Sequence, residues 1–417
     1  MIKMGDVEKI ILELALNENP KQKEELAGKI FEISRQAGVY PASINRIYQV
    51  RGRSEIKGGF TVPAINLRTL TYDLARAIFR VAKKKSAGTF IFEIARTEMG
   101  YTNQSPMEYV AFCLGAAISE GFSGPVFIQG DHFQVKQDRY SQDRKKEMEG
   151  IKSLIRDAVK AGFYNIDIDS STLVDLSKPT VKEQQRLNYE VCAELTRLIR
   201  DIQPQGIEVS VGGEIGEIGG KNSTPEELRA FIEGYKETLG EDNVGISKIS
   251  VQTGTAHGGV VLPDGTIAKV KLDFDTLMEL SKLARVEFGL AGAVQHGAST
   301  LPREAFNKFP ETETAEVHLA TQFQNIIYES KHFPSELRNK IYDWIKREKT
   351  DERKKDQTEE QFIYKTRKKA LGPFKKDILS LPVEVRRLIT EEVEAEFEFL
   401  FDKLNVVNTK DLIAKYY

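Results

Sequence analysis

The chain has 417 residues, with 60 lysines and arginines, 62 aspartates and glutamates, five histidines and two cysteines. A formal charge of −2 excludes a global attraction to nucleic acid or to an anionic membrane. Cys113 and Cys192 are too few for a disulfide scaffold, so we expect a cytoplasmic protein. No apolar stretch reaches the roughly 18–20 residues of a membrane-spanning helix.

Three regions follow one another along the chain. Residues 1–57 predict an N-terminal helical segment, because apolar residues recur at helical spacing over Val7–Leu16 and Glu24–Ala37. From residue 58 to 330, a short apolar run followed by a turn and an amphipathic stretch occurs eight times. The predicted strands are Phe60–Asn66, Thr89–Ala95, Val126–Gly130, Asn165–Asp169, Ile207–Val211, Ile246–Gln252, Leu290–Gln295 and Val317–Thr321.

These strands are apolar at nearly every position, which is typical of parallel strands buried on both faces. Eight such units predict an α/β fold, a (β/α)8 TIM barrel over residues 58–330. A doubly wound open sheet is the alternative, because strand count alone does not prove closure. Residues 331–417 predict a C-terminal helical extension. Its charge-dense run, Lys346–Asp356, is interpreted as a solvated helix face, because Asp and Glu interrupt the basic residues.

Four of the five histidines fall at or near the carboxyl ends of predicted strands, where barrel enzymes carry catalysis. Neutral imidazoles on a rigid scaffold are the usual ligands of Zn²⁺, so several on one rim predict a metal site more strongly than one alone. The four are His132, His257, His296 and His318. His332 lies outside the predicted strands.

Carboxylates and small residues follow the same strands. Asp131 precedes His132, and a turn of the backbone at the strand end would present both to the rim. Asp169 is either functional or the N-cap of the next helix, and Glu214 is either functional or part of a flexible glycine-rich loop. Small residues after the sixth and seventh strands allow backbone N–H groups and a hydroxyl to approach an anion such as phosphate. They are Gly258, Gly297 and Ser299.

Seven segments occur in an order and with residues that resemble the class II, metal-dependent fructose-bisphosphate/tagatose-bisphosphate aldolase family. The resemblance covers about Gly59 to Asn325. The seven segments are FTVPAIN at 60–66, PVFIQGDH at 125–132, IDSS at 168–171, EIGEIGG at 214–220, GTAHGG at 254–259, KLDFDTL at 271–277 and HGAST at 296–300. AEVHLAT at 315–321 resembles a variant of the family's eighth-strand motif, and Thr366-Arg367-Lys368 resembles a segment that lends an arginine to a substrate phosphate.

The resemblance implies a zinc-dependent (or similar divalent-metal) lyase of carbohydrate metabolism and glycolysis. It would cleave a phosphorylated ketose such as fructose 1,6-bisphosphate to dihydroxyacetone phosphate and an aldehyde, as a homo-oligomer, dimer or tetramer. Asp131 would be the acid/base and His318 a second catalytic group, with Asp169 and Glu217 as further candidates. The implied metal ligands are His132, His257, His296 and Glu214, and the implied phosphate ligands are Gly258, Gly297, Ser299, Thr321 and Arg367.

Two departures from the family pattern leave alternatives open. Gly220 is followed by Lys221–Thr224, so the acid that usually moves the carbon-bound proton has no obvious counterpart, and Glu217 is a possible stand-in. His318 stands where the family has an asparagine. The chain is therefore expected to act on a phosphorylated ketose, on a different sugar phosphate, or as a non-catalytic or regulatory barrel subunit.

Overall fold

The computed structural model describes residues 4–216, 221–254, 262–263 and 272–417. Its barrel strands are β2 (Val62–Asn66), β3 (Ile91–Ala95), β4 (Gly124–Gln134), β5 (Asn165–Asp169), β6 (Ser210–Glu214), β7 (Lys248–Val251), β8 (Ala293–Gln295) and β9 (Glu316–Leu319). Each pairs in parallel with the next, and β9 pairs with β2, which closes the barrel. The predicted TIM barrel is confirmed, and the open sheet is wrong.

Helices precede, connect and follow these strands. They are α1 (Met4–Leu16), α2 (Pro20–Gln36), α3 (Asn45–Gly52), α4 (Thr71–Lys85), α5 (Arg96–Thr102), α6 (Pro106–Ser119), α7 (Gln137–Gln142), α8 (Arg144–Ala161), α9 (Val181–Gln184), α10 (Arg186–Ile202), α11 (Pro225–Leu239), α12 (Phe274–Phe288), α13 (Lys308–Glu311), α14 (Thr321–Glu329), α15 (Ser335–Glu348), α16 (Glu359–Thr366), α17 (Lys375–Leu379), α18 (Val383–Lys403) and α19 (Lys410–Tyr416). Within the described ranges, none combines the length and apolar character that crossing a membrane requires.

The predicted helical segment at the N-terminus also contains a strand. β1 (Val39–Ala42) runs parallel to the first part of β4, from Gly124 to Phe127, before β5 begins to pair with β4. Asn165 joins the three strands, because its amide donates to the carbonyls of Ala42 and Ile128 at 3.2 and 3.0 Å. The expectation of helix alone over residues 1–57 missed this strand, because β1 is short and contains a proline, so it has no clear strand pattern.

The strand predicted at Ile207–Val211 begins and ends later, at Ser210–Glu214. Its centre is Gly212-Gly213, which carries no apolar side chain and so gives no strand signal. Close packing explains the glycine, since a Cβ at Gly212 would collide with the Asp167 carboxylate inside the barrel.

A buried arginine connects both helical additions to the barrel. Arg386, on α18, is 2% exposed and donates to both carboxylate oxygens of Asp73 on α4, at 2.7 and 2.8 Å. It also donates to Glu8 of α1 at 3.1 Å. One nitrogen of the guanidinium thus contacts Asp73 and another contacts Glu8, and these charge-assisted hydrogen bonds fix α1, α4 and α18 relative to one another.

Candidate active site

A cavity of about 500 Å³ opens at the carboxyl ends of the barrel strands. Seven of the residues singled out from the sequence line it: Asp131, His132, His296, Gly297, Ser299, His318 and Thr321. Glu214 lies beside His132, with its Oε2 atom 3.4 Å from His132 Nε2. His257, Gly258 and Glu217 lie outside the described residues.

A bulge in β4 presents Asp131 and His132 to the same cavity. The register of β4 on β5 shifts between Gly130 and Phe133, and His132 adopts a left-handed φ of 39°. Neighbouring residues of a regular strand point to opposite faces, whereas a bulge re-aims one of them. The expected turn of the backbone therefore exists, but it lies within the strand, which continues beyond it.

Asp131 lies among three imidazole rings. Its Oδ1 atom is 2.7 Å from His132 Nδ1 and 3.2 Å from His318 Nδ1. The Nδ1 atom of His296 is 3.9 Å away, and the His296 ring centroid lies 4.1 Å from that of His132 and 4.0 Å from that of His318. Burial acts to raise the pKa of Asp131, but the charges of His132 and His318 outweigh it and lower the pKa well below its usual value. Asp131 is therefore ionised.

Glu214 and Asp169 extend the cluster on the other side of His132. Burial, followed by the negative charge of Asp169, raises the pKa of Glu214 to about 8. Asp169 Oδ1 accepts from the backbone N–H of Ser171 at 3.1 Å and from its hydroxyl at 2.6 Å, while Oδ2 accepts from the Gln134 amide at 2.5 Å. Asp169 therefore holds the turn before the short 3-10 helix Ser171–Leu173, whose N-cap is Ser170, so the N-cap alternative is wrong. Its functional role stays a prediction, supported by its place beside His132 and Glu214.

The donor atoms around His132 fit a divalent metal. They form two groups in which all ligand atoms lie within 4.8 Å of one another: Asp131, His132 and His296, and His132, Asp169 and Glu214. Asp131 Oδ1 is buried and has no hydrogen-bond partner among the described residues. Imidazole nitrogen and carboxylate oxygen together are ligands that Zn²⁺ accepts, and a divalent ion offsets the buried negative charge.

Below the cavity, an ammonium group lies inside the barrel. Lys248 is 1% exposed, and its Nζ atom lies 3.0 Å from Asp167 Oδ2, 2.5 Å from Glu316 Oε1 and 2.7 Å from Gln129 Oε1. The hydroxyl of Tyr48 donates to the other oxygen of Glu316. Burial acts to lower the pKa of Lys248, but the charges of Asp167 and Glu316 outweigh it and raise the pKa.

Glu93, on β3, is a cavity residue that the sequence analysis missed. It is fully buried, and its Oε2 atom lies 2.9 Å from His318 Nδ1 and 3.3 Å from Gln129 Nε2. Burial raises its pKa to about 7, and the charge of His318 acts in the opposite direction. In the sequence, Glu93 is a single acidic residue within an otherwise apolar strand. Burying a carboxylate costs free energy unless it has a partner, so this position was a signal of a buried partner.

The positive charges at the cavity wall differ from the predicted one. Arg68, Lys365 and Lys368 line the cavity, and Arg68 pairs with Glu98 at 2.6 Å. Burial, followed by the charge of Arg68, lowers the pKa of Lys368. Arg367 does not line the cavity.

The guanidinium group of Arg367 has its own partners. It donates to Asn325 Oδ1 at 2.7 Å and to Glu329 Oε1 at 3.0 Å. It also lies over the rings of Tyr328 and Tyr364, at 5.1 and 4.7 Å from their centroids. The basic residue of the Thr366–Lys368 segment that lines the cavity within the same chain is Lys368.

Small residues form the wall between β8 and β9. Gly297 has a φ of 69°, in the left-handed region that favours glycine, and opens the short 3-10 helix Ala298–Thr300. The Ala320 backbone N–H donates to Ser299 Oγ at 2.7 Å, which brings the two strand ends together. Thr321 begins α14 beside them. This wall combines a hydroxyl with closely approaching backbone, as an anion site requires.

The profile of the family described as fructose-bisphosphate aldolase class-II matches residues 54–377. The chain belongs to this family. It is a class-II aldolase family member with an aldolase-type function, and the family is generally dependent on a divalent metal. No curated protein matches the chain by sequence.

Solved structures share the fold of this family member at low sequence identity. A probable tagatose 6-phosphate kinase from Sinorhizobium meliloti 1021 has 15% identity and a TM-score of 0.60, over 83% of this chain and 100% of that one. Fructose-bisphosphate aldolase from Campylobacter jejuni has 17% identity and a TM-score of 0.52, over 89% and 96%. A fructuronate-tagaturonate epimerase from Cohnella laeviribosi has 12% identity and a TM-score of 0.59, over 94% and 86%.

Proposed function

We propose that this family member is a metal-dependent aldolase that cleaves or forms a phosphorylated ketose, with dihydroxyacetone phosphate as one product. The observation that carries the proposal is the position of the ionised Asp131 carboxylate among His132, His296 and His318 in a cavity that also has cationic side chains. This arrangement supports proton transfer beside a metal-binding rim and binding of a phosphorylated substrate.

His132, His296 and Glu214 would hold the ion, with His257 as a further ligand carried over from the family resemblance. When bound, a divalent ion such as Zn²⁺ supplies Lewis-acid stabilisation of the negative charge that carbon–carbon cleavage leaves on an enediolate oxygen. His132 supports this assignment, because it belongs to two groups of donor atoms that each converge within 4.8 Å, one with Asp131 and His296 and the other with Asp169 and Glu214.

The chain's own groups would move the proton and hold the enediolate. Asp131 accepts the proton of the substrate hydroxyl at the bond being cleaved, and in the reverse direction donates it to the aldehyde oxygen. His318 replaces the family's asparagine and can still donate a hydrogen bond to an enediolate oxygen. Asp131 is 6% exposed, so few water molecules can contact its carboxylate during this transfer.

Two parts of the cavity support a phosphorylated substrate. Gly297, Ser299 and Thr321 would bind one phosphate through backbone N–H groups and hydroxyls. Lys368 and Arg68 would attract the distal anionic group. Arg367 was expected in that role; within one chain its contacts with Asn325 and Glu329 favour Lys368 instead, and a contact across a subunit interface stays a prediction.

A second candidate is aldol chemistry on a different sugar phosphate. It is favoured by the buried contact between Glu93 and His318, since His318 stands where the family has an amide. A non-catalytic or regulatory subunit is the remaining alternative. Four buried or half-buried carboxylates, Glu93, Asp131, Asp169 and Glu214, and three imidazoles at one rim are a costly arrangement for a purely structural barrel, which argues against it.

A product assay across ketose bisphosphates and monophosphates, with metal content measured in parallel, tests the proposal. We expect release of dihydroxyacetone phosphate from at least one substrate, and loss of that release in the Asp131→Ala protein at unchanged folding. Absence of any aldol cleavage or condensation with metal-loaded, folded protein would contradict the assignment and favour the non-catalytic alternative.

We also propose that the protein is a cytoplasmic homo-oligomer, a dimer or tetramer. Light scattering on the purified chain measures the assembly directly. Mixing Arg367→Ala and Asp131→Ala chains tests a shared site, because activity returns only if each chain supplies the group that the other lacks.

A further inference from the structure

Aldol cleavage requires two proton transfers, at two different atoms of the substrate. Asp131 would take the proton of the hydroxyl at the bond being cleaved, and a second group must give a proton to a carbon of the enediolate. The segment that follows Gly220, Lys221–Thr224, contains no carboxyl group. The second transfer therefore needs an acid from another segment of the chain.

Glu93 lies at the same side of the barrel wall as Asp131. It is the third residue of β3 and lines the same cavity as Asp131 and His318. Glu93 is paired in register with Gln129 of β4, and Ala95 is paired with Asp131. Residues two positions apart in a strand face the same side, so Glu93 and Asp131 point into the barrel at successive levels. Glu93 thus forms part of the cavity floor.

One oxygen of the Glu93 carboxyl group is held in place and the other has no partner. Oε2 lies 2.9 Å from His318 Nδ1 and accepts from Gln129 Nε2 at 3.3 Å. Oε1 is buried and has no hydrogen-bond partner within the described part of the chain. Buried polar atoms almost always have a partner, so such an atom beside a cavity indicates a group that acts on a ligand.

Glu93 and Asp131 hold their protons over different pH ranges. Burial raises the pKa of Glu93 to about 7; the charge of His318 acts against it, and the charges of Asp131 and Glu316 reinforce it. The pKa of Asp131 lies well below its usual value. Two carboxyl groups of one site with different pKa values suit opposite roles, and an acid with a pKa near 7 gives and regains a proton at neutral pH.

His318 connects Glu93 to the substrate. In the proposed function, His318 would donate a hydrogen bond to an enediolate oxygen, and its Nδ1 atom is 2.9 Å from the Glu93 carboxyl group. An enediolate carbon is bonded directly to that oxygen. The position that contacts His318 therefore brings the carbon toward Glu93.

We propose that Glu93 is the acid/base that exchanges the carbon-bound proton of the three-carbon product. In cleavage, the O–H bond of the Glu93 carboxyl group breaks, the electron pair of the enediolate double bond forms the new C–H bond, and an oxygen electron pair re-forms the carbonyl. Glu93 is left as a carboxylate and regains a proton from water after product release. In condensation, the carboxylate removes the same proton. This role rests on the proposed function, because it is the second proton transfer of that reaction.

Hydrogen–deuterium exchange tests the role of Glu93. Zn²⁺-loaded wild-type protein in heavy water should exchange one carbon-bound proton of dihydroxyacetone phosphate, which nuclear magnetic resonance measures. Glu93→Gln keeps the shape of the side chain but has no acidic proton, so the exchange should slow by about 10²–10⁴-fold. Glu108→Gln is the matched control: Glu108 is also 0% exposed, but it contacts Lys23 and Lys375 and does not line the cavity, so exchange should be unchanged.

A second readout distinguishes proton transfer from a structural defect. With the ketose phosphate that the wild type cleaves best, Glu93→Gln should release about one aldehyde per active site in a rapid first turnover and then slow down. Asp131 is intact in this variant, so carbon–carbon cleavage proceeds while the enediolate waits for its proton. Loss of the rapid phase together with exchange, in folded protein, would contradict the proposal and assign Glu93 to substrate binding.

The remaining outcomes separate this role from the proposed function. Near-wild-type exchange in Glu93→Gln, with cleavage intact in the wild type, contradicts the role of Glu93 and leaves the aldolase proposal standing. Wild-type protein that neither cleaves nor exchanges contradicts both. If Glu93→Gln fails to fold, as circular dichroism would reveal, Glu93→Asp decides. Its carboxyl group is withdrawn by one methylene, so exchange should fall by about 10²-fold with the rapid phase retained; an unchanged rate overturns the proposal.

Discussion

The Lys248 ammonium group lies 3.0 Å from the Asp167 carboxylate in the interior of the barrel, directly below the candidate metal site. Both side chains are buried, with Lys248 1% exposed, and Glu316 completes the contact from β9. Three strands, β5, β7 and β9, are thereby joined across the barrel by charge. This interior is charged, unlike an apolar barrel core. Glu316 contacts both Lys248 and the cavity residue His318, so the stability of the fold and the position of a site residue depend on the same carboxylate.

Replacing Lys248 by methionine should strongly destabilise the fold. The substitution preserves most of the side-chain volume but leaves Asp167 and Glu316 without their cation, which costs about 3–5 kcal/mol for a broken buried pair. Urea unfolding of the wild-type and variant proteins measures the difference in free energy. The double variant Lys248→Met/Glu316→Gln is the control, and it should lose less stability than the single variant; an equal or larger loss would contradict the charge argument.

Asp131→Asn should abolish most of the aldol activity. The amide keeps the shape of the side chain but cannot accept the substrate proton, so we expect kcat to fall by about 10²–10⁴-fold. Steady-state kinetics with the best ketose phosphate measures this. The ion held on the His132 side should remain bound, which metal analysis checks; activity within a few-fold of wild type would assign the proton transfer to another residue.

Lys368→Met should weaken binding of the phosphorylated substrate. Loss of a charge-assisted hydrogen bond of about 1.5–3 kcal/mol predicts a roughly 10–150-fold rise in KM for the phosphorylated ketose. Arg367→Met is the comparison at the neighbouring position, and it should lower stability with little change in KM, because its guanidinium contacts Asn325 and Glu329. A large KM increase in Arg367→Met alone would instead support an arginine that acts across a subunit interface.

Removal of divalent metal should lower the thermal stability of the protein. In a chelator, the carboxylates around His132 (Asp131, Asp169 and Glu214) lose the charge of the ion, and a ligand present at a hundred times its Kd contributes about 2.7 kcal/mol. Thermal unfolding with chelator, and again after Zn²⁺ or Mn²⁺ is restored, measures the effect. Chelator that leaves both the melting temperature and the bound metal content unchanged would argue against a metal in this cavity.

The barrel was predictable from the sequence because its strands are short apolar runs spaced by amphipathic helices. That pattern reflects burial on both faces and survives in most strands. It failed at β6, where Gly212 supports close approach to Asp167, and at β1, whose four residues include Pro41. In both places tertiary packing, not side-chain patterning, determines the strand.

The rim was predictable because histidines and an aspartate follow strands. The charged pairs inside the barrel were not predictable, because one glutamate or lysine inside an apolar run does not identify its partner on another strand. Glu93, from β3, meets His318 of β9, and Lys248, from β7, meets Asp167 of β5. Only the closed barrel brings these pairs together. The motif indicated the Thr366–Lys368 segment without the direction of its side chains, so it did not predict that Lys368 lines the cavity; the role of Arg367 at a substrate phosphate stays a prediction.

The bulge between Gly130 and Phe133 limits how this rim can be redesigned. A side chain at Gly130 would collide with the Phe133 ring, and the shifted register is what gives Asp131 and His132 a common direction. A library that diversifies the cavity to alter substrate preference should therefore keep Gly130 and Phe133 unchanged. Variation at Thr321 or Tyr364 changes the walls of the cavity without disturbing the backbone that aims the acid/base.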